Sequence, residues 1–320
     1  MKTEYTKKPV SLGDGPSAVA AGSFDGVHLG HGRILSRLVR YARERHCRSV
    51  AMTFDPHPGE VLSGEGPGLL NTPEEKDERI ARFEPDHLIT LKFDRELAAH
   101  NAEEFVTRYL IEPLNLVHLV MGEDHHLGRK GGSPEELERL GGKLGFTVDI
   151  VSPVCRDGEP VKSTRIRNAL REGRIIEVAE MLGYPYTIAG SAVSGEGRGR
   201  ELGFPTVNLK VHGKKLLPPP GVYAAADGED IPGLLYIGTR PTFGGGPLSV
   251  EFHCLQEADY SPGDEVRLSV HRRIRGEMKF ESGEELVGRM EVDRSILLNL
   301  IDNFEINGKQ KRNSYKEEVS

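Results

Sequence analysis

The densest group of chemically capable residues lies between Gly22 and His31, in the sequence GSFDGVHLGH. It falls where the apolar run 17–22, a predicted strand, gives way to a helical pattern. Free N–H groups and the positive end of the dipole at a helix N-terminus attract phosphate. Two imidazoles, His28 and His31, can face one anionic group there, and Gly30 lets the backbone approach it closely. The pattern favours transfer of a nucleotidyl group, because negative charge gathers on the phosphate in that transition state.

A second segment with phosphate-binding residue types follows later in the same half of the chain. Ser163, Thr164 and Arg165 open a predicted helix, and they offer hydroxyl groups and a guanidinium fork for the phosphates of a nucleotide. Taken alone, this segment is also typical of a helix start with solvated arginines. An isolated pair such as His28 and His31 is equally well explained as a helix cap. The two segments together favour the phosphate site.

The second half of the chain contains a glycine-rich stretch of its own, from Gly190 to Asn208. Closely spaced glycines allow a loop whose backbone amides surround phosphate oxygens, although a lone glycine run is more often a turn. Thr206 and Asn208 supply oxygen atoms of the kind that Mg²⁺ prefers. The candidate binding positions within the loop are Gly195, Gly197, Arg200 and Gly203.

The elements that must position these residues differ between the two halves. Residues 1–183 alternate apolar strands with amphipathic helical patterns, which predicts an α/β domain with a parallel sheet and helices on both faces. From residue 184, short strands separated by Gly and Pro clusters predict a small β-barrel or sandwich, and an amphipathic helix follows over 282–304. This mostly-β domain is predicted to end at residue 308, before a polar tail over 309–320.

Composition narrows the possible partners. The 320 residues carry a net charge of −7, which argues against nucleic acid as the main partner and favours small molecules. The three cysteines are far apart, which is typical of a reducing compartment. Because the sequence has neither a signal-peptide pattern nor an apolar run of membrane-spanning length, we expect a cytoplasmic protein without a membrane partner. The oligomeric state is left open.

The first half resembles the FMN adenylyltransferase module of bacterial bifunctional riboflavin kinase/FAD synthetases, which belongs to the H-x-G-H nucleotidyltransferase superfamily. The matching stretches are GSFDGVHLGH, TFDPHP, LLNTPEEK, MGED and STRIR. The resemblance implies a Rossmann-like fold in which the FMN phosphate attacks the α-phosphate of ATP and releases pyrophosphate. His28 and His31 would steady the ATP phosphates, Asp124 would contribute to the substrate pocket, and Arg165 would hold the pyrophosphate. The remaining nucleotide-binding candidates are Gly22, Phe24, Asp25, Gly30, Ser163 and Thr164.

The second half is similar to riboflavin kinases, through GRELGFPTVNL, LLPPPGVY, YIGTRPTF, SVEFH and RRIR followed by KF. The resemblance implies a small riboflavin-kinase-like barrel with a C-terminal helix, which binds ATP, Mg²⁺ and riboflavin. It also implies that Glu251 is the general base for the ribityl 5′-hydroxyl. Alternation places Glu251 and His253 on one face of a strand and Phe252 on the other, without deciding which face is outside.

The chain departs from the family pattern beside the first site. His125, His126 and Leu127 stand where the family usually has Phe-Arg-Phe, and Lys162 stands where it commonly has serine. The adjacent histidines are expected to be surface loop residues rather than metal ligands. These departures keep one alternative open, a riboflavin kinase whose adenylyltransferase half is impaired or retuned. A non-catalytic flavin-sensing regulator and an H-x-G-H transferase for another acceptor are two further alternatives.

Overall fold

The computed structural model describes residues 1–194, 204–228, 231–239, 242, 246, 248–255 and 260–317. These residues pack as two compact units, one that ends at Ser163 and one that begins at Thr164. The domain boundary after residue 183 stays a prediction. Among the described residues, no helix has both the length and the apolar character needed to cross a membrane.

The first unit is built on a parallel sheet, which confirms the predicted α/β fold. The sheet in the described residues has six strands: β1 (Lys2–Thr6), β2 (Ser17–Ala21), β3 (Arg48–Asp55), β4 (His87–Lys92), β5 (Leu116–Gly122) and β6 (Thr147–Val151). Their spatial order is β1-β4-β3-β2-β5-β6, and all neighbours are parallel. Every residue of the central strand β2 is buried, because helices cover both faces of the sheet.

Helices connect these strands, and one short hairpin follows the last of them. The helices are α1 (Leu29–Arg45), α2 (Pro58–Ser63), α3 (Pro73–Ala81), α4 (Arg95–Ala99), α5 (Ala102–Phe105), α6 (Glu112–Leu114) and α7 (Pro134–Leu144), with a π-helical stretch at Val106–Ile111. The hairpin pairs β7 (Cys155–Arg156) with β8 (Glu159–Pro160). Side chains of β2 alternate between two cores: Ala18 and Ala20 pack with Leu35 and Leu38 of α1, whereas Val19 packs on the opposite face.

The second unit opens with α8, which runs over Ser163–Arg171 from the end of the first unit, and α9 (Ile175–Leu182). Its main body is a closed antiparallel barrel, which confirms the predicted mostly-β domain. The barrel strands in the described residues are β9 (Tyr186–Val193), β10 (Val207–Val211), β11 (Gly221–Ala226), β12 (Pro232–Gly238), β13 (Ser249–Cys254) and β14 (Glu265–Gly276). They close in the order β10-β13-β12-β11-β14-β9.

A long helix, α10 (Gly283–Glu317), packs on the outside of this barrel. Leu297 contacts Val222, Ala224 and Leu234 of β11 and β12 in one buried cluster. The prediction that the helix ends near residue 304 is wrong, since α10 continues to Glu317. The sequence after residue 304 has no proline, and its lysine, glutamine and glutamate residues are good helix formers, so the helix continues through Asn307 and Gly308.

Candidate active sites

The loop between β2 and α1 has an unusual backbone. Phe24 and Val27 have φ angles of 46° and 35°, in the left-handed region that non-glycine residues rarely adopt, and Gly26 has a φ of 85°. The neighbouring strand β3 holds the loop: the Gly22 N–H donates to the Met52 carbonyl at 3.0 Å. Strain of this kind, most unusual at a β-branched residue, persists only where surrounding contacts enforce it, and it concentrates at functional sites.

The two histidines of the loop form a compact pair at the start of α1. His28 is the N-cap, and its Nδ1 accepts the His31 N–H at 3.4 Å. The two rings stack with centroids 3.7 Å apart, and Phe24 packs edge-on against His31. Because Nδ1 accepts a hydrogen bond, the neutral His28 ring carries its proton on Nε2, which makes that nitrogen a donor. A Cβ at Gly30 would lie 3.2 Å from the His28 ring, so the glycine leaves room for the stacked pair.

Asp25 ties this loop to two other segments. Its buried carboxylate accepts the backbone N–H groups of Leu70 and Asn71 at 3.0 and 3.2 Å. Its backbone carbonyl accepts the Ser163 hydroxyl at 2.8 Å. The structure therefore brings Ser163 to the loop that carries His28 and His31.

A buried lysine was not among the candidate residues found from the sequence. Lys76 of α3 is 8% exposed, and its Nζ donates to the Phe54 carbonyl at 3.0 Å. Burial lowers its pKa, while Asp25, Asp55 and Asp77 act in the opposite direction. The capping-box pattern Thr72-x-x-Glu75 fixes the start of α3 and places Lys76 in its first turn, but it does not show which face of the helix is buried. Lys76 is a buried cation that interacts electrostatically with Asp25, the residue that ties down the histidine loop. It is therefore a candidate for balancing phosphate charge.

The other two predicted phosphate contacts of the first site belong to the second unit. Thr164 is exposed in the first turn of α8. Arg165 is about three-quarters buried at its side chain and lies 3.8 Å from the Glu177 carboxylate of α9. Arg174 pairs with the same carboxylate. Glu177 thus holds two arginine side chains near the start of α8.

In the barrel, the strand register assembles the second candidate site. Glu251 of β13 lies directly opposite Asn208 of β10 and Tyr236 of β12. Directly opposed residues of antiparallel strands point to the same face, so the three side chains form one row. The Ser249 hydroxyl donates to Glu251 Oε1 at 3.1 Å. Thr206 lies two residues before Asn208, whereas Gly195, Gly197, Arg200 and Gly203 fall outside the described residues.

His253 fixes the segment that leads into β10. Its Nδ1 lies 2.8 Å from the Pro205 carbonyl, and the Phe204 ring packs edge-on against its imidazole. Because the carbonyl can only accept, Nδ1 carries the proton. Burial lowers the pKa of His253, which keeps the ring in this neutral form. The contact places Thr206 beside β13.

The structure also decides which face of β13 is outside. Phe252 is fully buried in the barrel, and Glu251 is only partly buried on the opposite face. Helix α10 lies along this outer face, where Tyr236 packs against the cluster around Leu297. The Glu251 carboxylate therefore lies at an accessible edge between the barrel and its helix.

Comparison with known proteins covers both halves of the chain. A family model for FAD synthetase matches residues 12–165, and a riboflavin kinase model matches residues 182–301. The bifunctional riboflavin kinase/FMN adenylyltransferase of Listeria monocytogenes is 34% identical, over 92% of this chain and 96% of its own length. The chain belongs to the bifunctional riboflavin kinase/FMN adenylyltransferase family. The Bacillus subtilis member is 33% identical, over 95% of this chain and 99% of its own.

A solved structure supports the fold of this family member over most of its length. The protein, from Streptococcus pneumoniae and described as a macrolide-efflux protein, matches with a TM-score of 0.84 and 28% identity. The match covers 93% of this chain and 99% of that protein.

The first family departure, at His125 to Leu127, lies just after β5, and one expectation about it is wrong. His126 is exposed as predicted, but His125 is half-buried, with a buried Nε2 that has no hydrogen-bond partner among the described residues. Burial lowers the pKa of His125 to about 4. Leu127 is 3% exposed in the core. The tight turn from Gly122, whose carbonyl accepts the His125 N–H at 3.1 Å, folds this segment inward, and spacing alone did not reveal it.

The second departure forms a new ion pair. The Lys162 Nζ lies 2.6 Å from Asp124 Oδ2, and both side chains are more than half exposed. The hydrogen bond from Lys162 holds the pKa of the Asp124 carboxyl below its usual range. Asp124 follows the carboxyl end of β5, and Lys162 directly precedes Ser163. The pair therefore links two of the segments that carry predicted site residues.

Proposed function

We propose that this chain converts riboflavin to FAD in two ATP-dependent steps. In the first step, the ribityl 5′-oxygen attacks the γ-phosphorus of ATP, the bond to the β-phosphate oxygen breaks, and ADP leaves. In the second, a phosphate oxygen of FMN attacks the α-phosphorus of another ATP, and pyrophosphate leaves. Family membership supports both steps, since the relatives described above are named for both activities.

The observation that carries the kinase step is the row formed by Asn208, Glu251 and Tyr236 on the outer face of the barrel. Glu251 takes the proton of the attacking hydroxyl, because a half-buried carboxylate on an accessible edge can meet that group at hydrogen-bond distance. Phosphoryl transfer depends mainly on positioning and charge stabilisation, so one base and a phosphate cradle are sufficient protein chemistry.

A divalent cation fits the neighbouring residues. Thr206 and Asn208 present a hydroxyl and an amide oxygen, which together with phosphate oxygens form the all-oxygen donor set that Mg²⁺ prefers. When bound, Mg²⁺ neutralises charge on the transferred phosphoryl group. The loop residues Gly195, Gly197, Arg200 and Gly203 complete the nucleotide site in this proposal.

The adenylyl transfer is assigned to the histidine loop. His28 offers its Nε2 proton, and the stacked His31 lies beside it at the positive end of α1, where developing charge on a phosphate is stabilised. Gly22, Phe24, Asp25 and Gly30 shape the loop, and Ser163 and Thr164 are assigned to bind the phosphates of ATP. Asp124 contributes to the acceptor pocket, and Arg165 holds the departing pyrophosphate. The three free cysteines support a cytoplasmic location for the reactions.

The deciding experiment incubates the purified protein with riboflavin, ATP and Mg²⁺ and separates the flavins by chromatography over time. We expect FMN to rise and then to give way to FAD. The variant His31→Ala with Arg165→Ala is expected to stop at FMN, whereas the exposed control Arg40→Ala behaves as the wild type. If no flavin product forms at all, the enzymatic proposal is wrong and the regulatory alternative gains support.

A second candidate is a riboflavin kinase with a changed adenylyltransferase half. The inward-turned His125 and the Lys162–Asp124 pair favour it, because both alter the edge of the sheet where the acceptor is expected. Accumulation of FMN without FAD, even with FMN supplied in excess, would identify this case.

A further inference from the structure

The row formed by Asn208, Glu251 and Tyr236 is called the kinase row below. Glu277 lies near this row, and the proposed mechanism does not use it. It directly follows β14 and is half-buried. One carboxylate oxygen, Oε1, accepts two short hydrogen bonds, from the Tyr236 hydroxyl at 2.6 Å and from the Thr239 N–H at 2.6 Å. The Thr239 hydroxyl lies 3.3 Å from both carboxylate oxygens. One side chain thus holds the end of β12 and the aromatic ring next to Glu251.

The backbone is shaped around this contact. A Cβ at Gly238 would collide with both Glu277 Oε1 and the Tyr236 hydroxyl, so the glycine leaves the space through which the bond passes. A second hydrogen bond joins the segments that follow β12 and β14: the Phe280 N–H donates to the Thr242 hydroxyl at 3.2 Å. The segment after β14 is therefore fastened to the segment after β12 at one end of the barrel.

The order of side chains in the kinase row indicates from which side of Glu251 each substrate approaches. Asn208, a predicted ligand for the phosphates and their cation, lies on one side of Glu251, and Tyr236 lies on the other. In-line phosphoryl transfer places the attacking hydroxyl and the leaving phosphate on opposite sides of the transferred group. If the nucleotide takes the β10 side of Glu251, the substrate that carries the hydroxyl must approach from the β12 side, where Glu277 holds Tyr236 and Thr239.

We infer that Glu277 is a positioning residue for riboflavin in the kinase site. Its carboxylate orients Tyr236 and the start of the segment after β12, so that the flavin is held with its ribityl hydroxyl at Glu251. This inference rests on the proposed kinase function. We expect loss of the contact to act on riboflavin binding, because Glu277 holds Tyr236 and Thr239 on the β12 side of Glu251.

The test measures FMN formation by the full-length protein while riboflavin and ATP are varied in turn. For Glu277→Ala we expect the KM for riboflavin to rise about tenfold or more, with kcat and the KM for ATP changing less than about threefold. Glu277→Gln is the matched variant: both short bonds end on a single oxygen, which an amide oxygen can replace, so its riboflavin KM stays within about threefold of the wild type.

Three outcomes would overturn the inference. They are an unchanged riboflavin KM in Glu277→Ala, a fall in kcat alone, and an equal defect in Glu277→Gln, which would show that charge rather than geometry is needed. If Glu277→Ala does not fold, Tyr236→Phe decides the question: it must raise the riboflavin KM while Glu277→Gln does not. Conversion of supplied FMN to FAD serves as the internal control. A wild-type protein that makes no FMN contradicts the kinase proposal instead, so the two failures are distinguishable.

Discussion

The two candidate sites of this protein are built in opposite ways. The histidine site takes its centre from one stretch, Gly22–His31, in which a strand end, a strained loop and a helix start follow one another. The kinase row takes one residue from each of three strands, Asn208, Tyr236 and Glu251, which are far apart in the sequence. A local site can be recognised as a motif, whereas an assembled site exists only through barrel register.

This difference has energetic consequences. The histidine loop depends on nearby contacts, such as the bond from Gly22 to Met52 and the bonds that Asp25 accepts. The kinase row depends on the closure of the whole barrel, because a one-residue register shift would turn Glu251 to the other face. We therefore expect perturbations of the barrel to affect FMN formation first.

Glu251→Gln is expected to separate the two activities more strongly than any other change. Removing the proposed base should lower the rate of FMN formation by about 10³-fold, within the usual range for general-base catalysis. Conversion of supplied FMN to FAD should stay within about twofold of the wild type. Flavin chromatography measures both rates in one preparation, and Glu265→Gln, at an exposed position of β14, is the control. Loss of both activities in a folded variant would contradict the two-site assignment.

The next largest effect concerns the barrel and its helix. Asp293 of α10 is 1% exposed, accepts a hydrogen bond from Arg275 of β14 at 2.8 Å, and lies 3.2 Å from Arg289. Asp293→Asn leaves the two arginines without their counter-charge, so we expect the free energy of unfolding of this unit to fall by about 3–5 kcal/mol. Urea unfolding followed by circular dichroism measures it.

The exposed neighbour Glu291→Gln is the control for that change and should be nearly neutral. In Asp293→Asn, the kinase activity should be lost at a lower temperature than the adenylyltransferase activity. Equal thermal loss of the two activities would mean that the histidine site depends on the barrel as strongly as the kinase row does.

A smaller effect, confined to the first unit, is expected in acid. Folding lowers the pKa of His125 from 6.5 to about 4, so the unfolded chain takes up a proton that the folded chain excludes. Stability is therefore complete above about pH 6.5 and falls as the pH drops towards 4, by at most about 3 kcal/mol. His125→Phe should flatten the dependence of unfolding free energy on pH, whereas His126→Phe, at the exposed neighbour, should not. Identical pH profiles for the wild type and His125→Phe would contradict the burial of this ring.

The smallest effect is expected at the Lys162–Asp124 pair. An exposed ion pair contributes at most about 1 kcal/mol, so Lys162→Ser should change the KM for FMN in adenylylation by less than about fivefold. FMN formation should not change. Steady-state kinetics with supplied FMN tests this, and a loss of FAD formation beyond 100-fold would give Lys162 a direct role in the transfer.

Much of the fold could be predicted because its signals are periodic and local. The apolar run 17–22 and the helical spacing of Leu35, Leu38 and Ala42 predict a strand and a helix, and both form, the strand as Ser17–Ala21. Strand β1 was not predicted, since Lys2–Thr6 is mostly polar and exposed. It joins the sheet through backbone pairing with β4, which leaves no side-chain pattern in the sequence.

By itself, the sequence determined two domains, their fold classes, the helix-start motif around His28 and His31, and the membership of the family. These depend on residue types at short spacing, where the chain's own geometry decides what lies together. Only the tertiary structure decided that His125 turns inward, that Lys76 is buried beside the histidine loop, and that Glu277 holds Tyr236 next to Glu251. The contacts of Lys76 and Glu277 join residues that approach only after the sheet or the barrel has formed, and the burial of His125 depends on what its turn packs against; residue spacing alone encodes none of these.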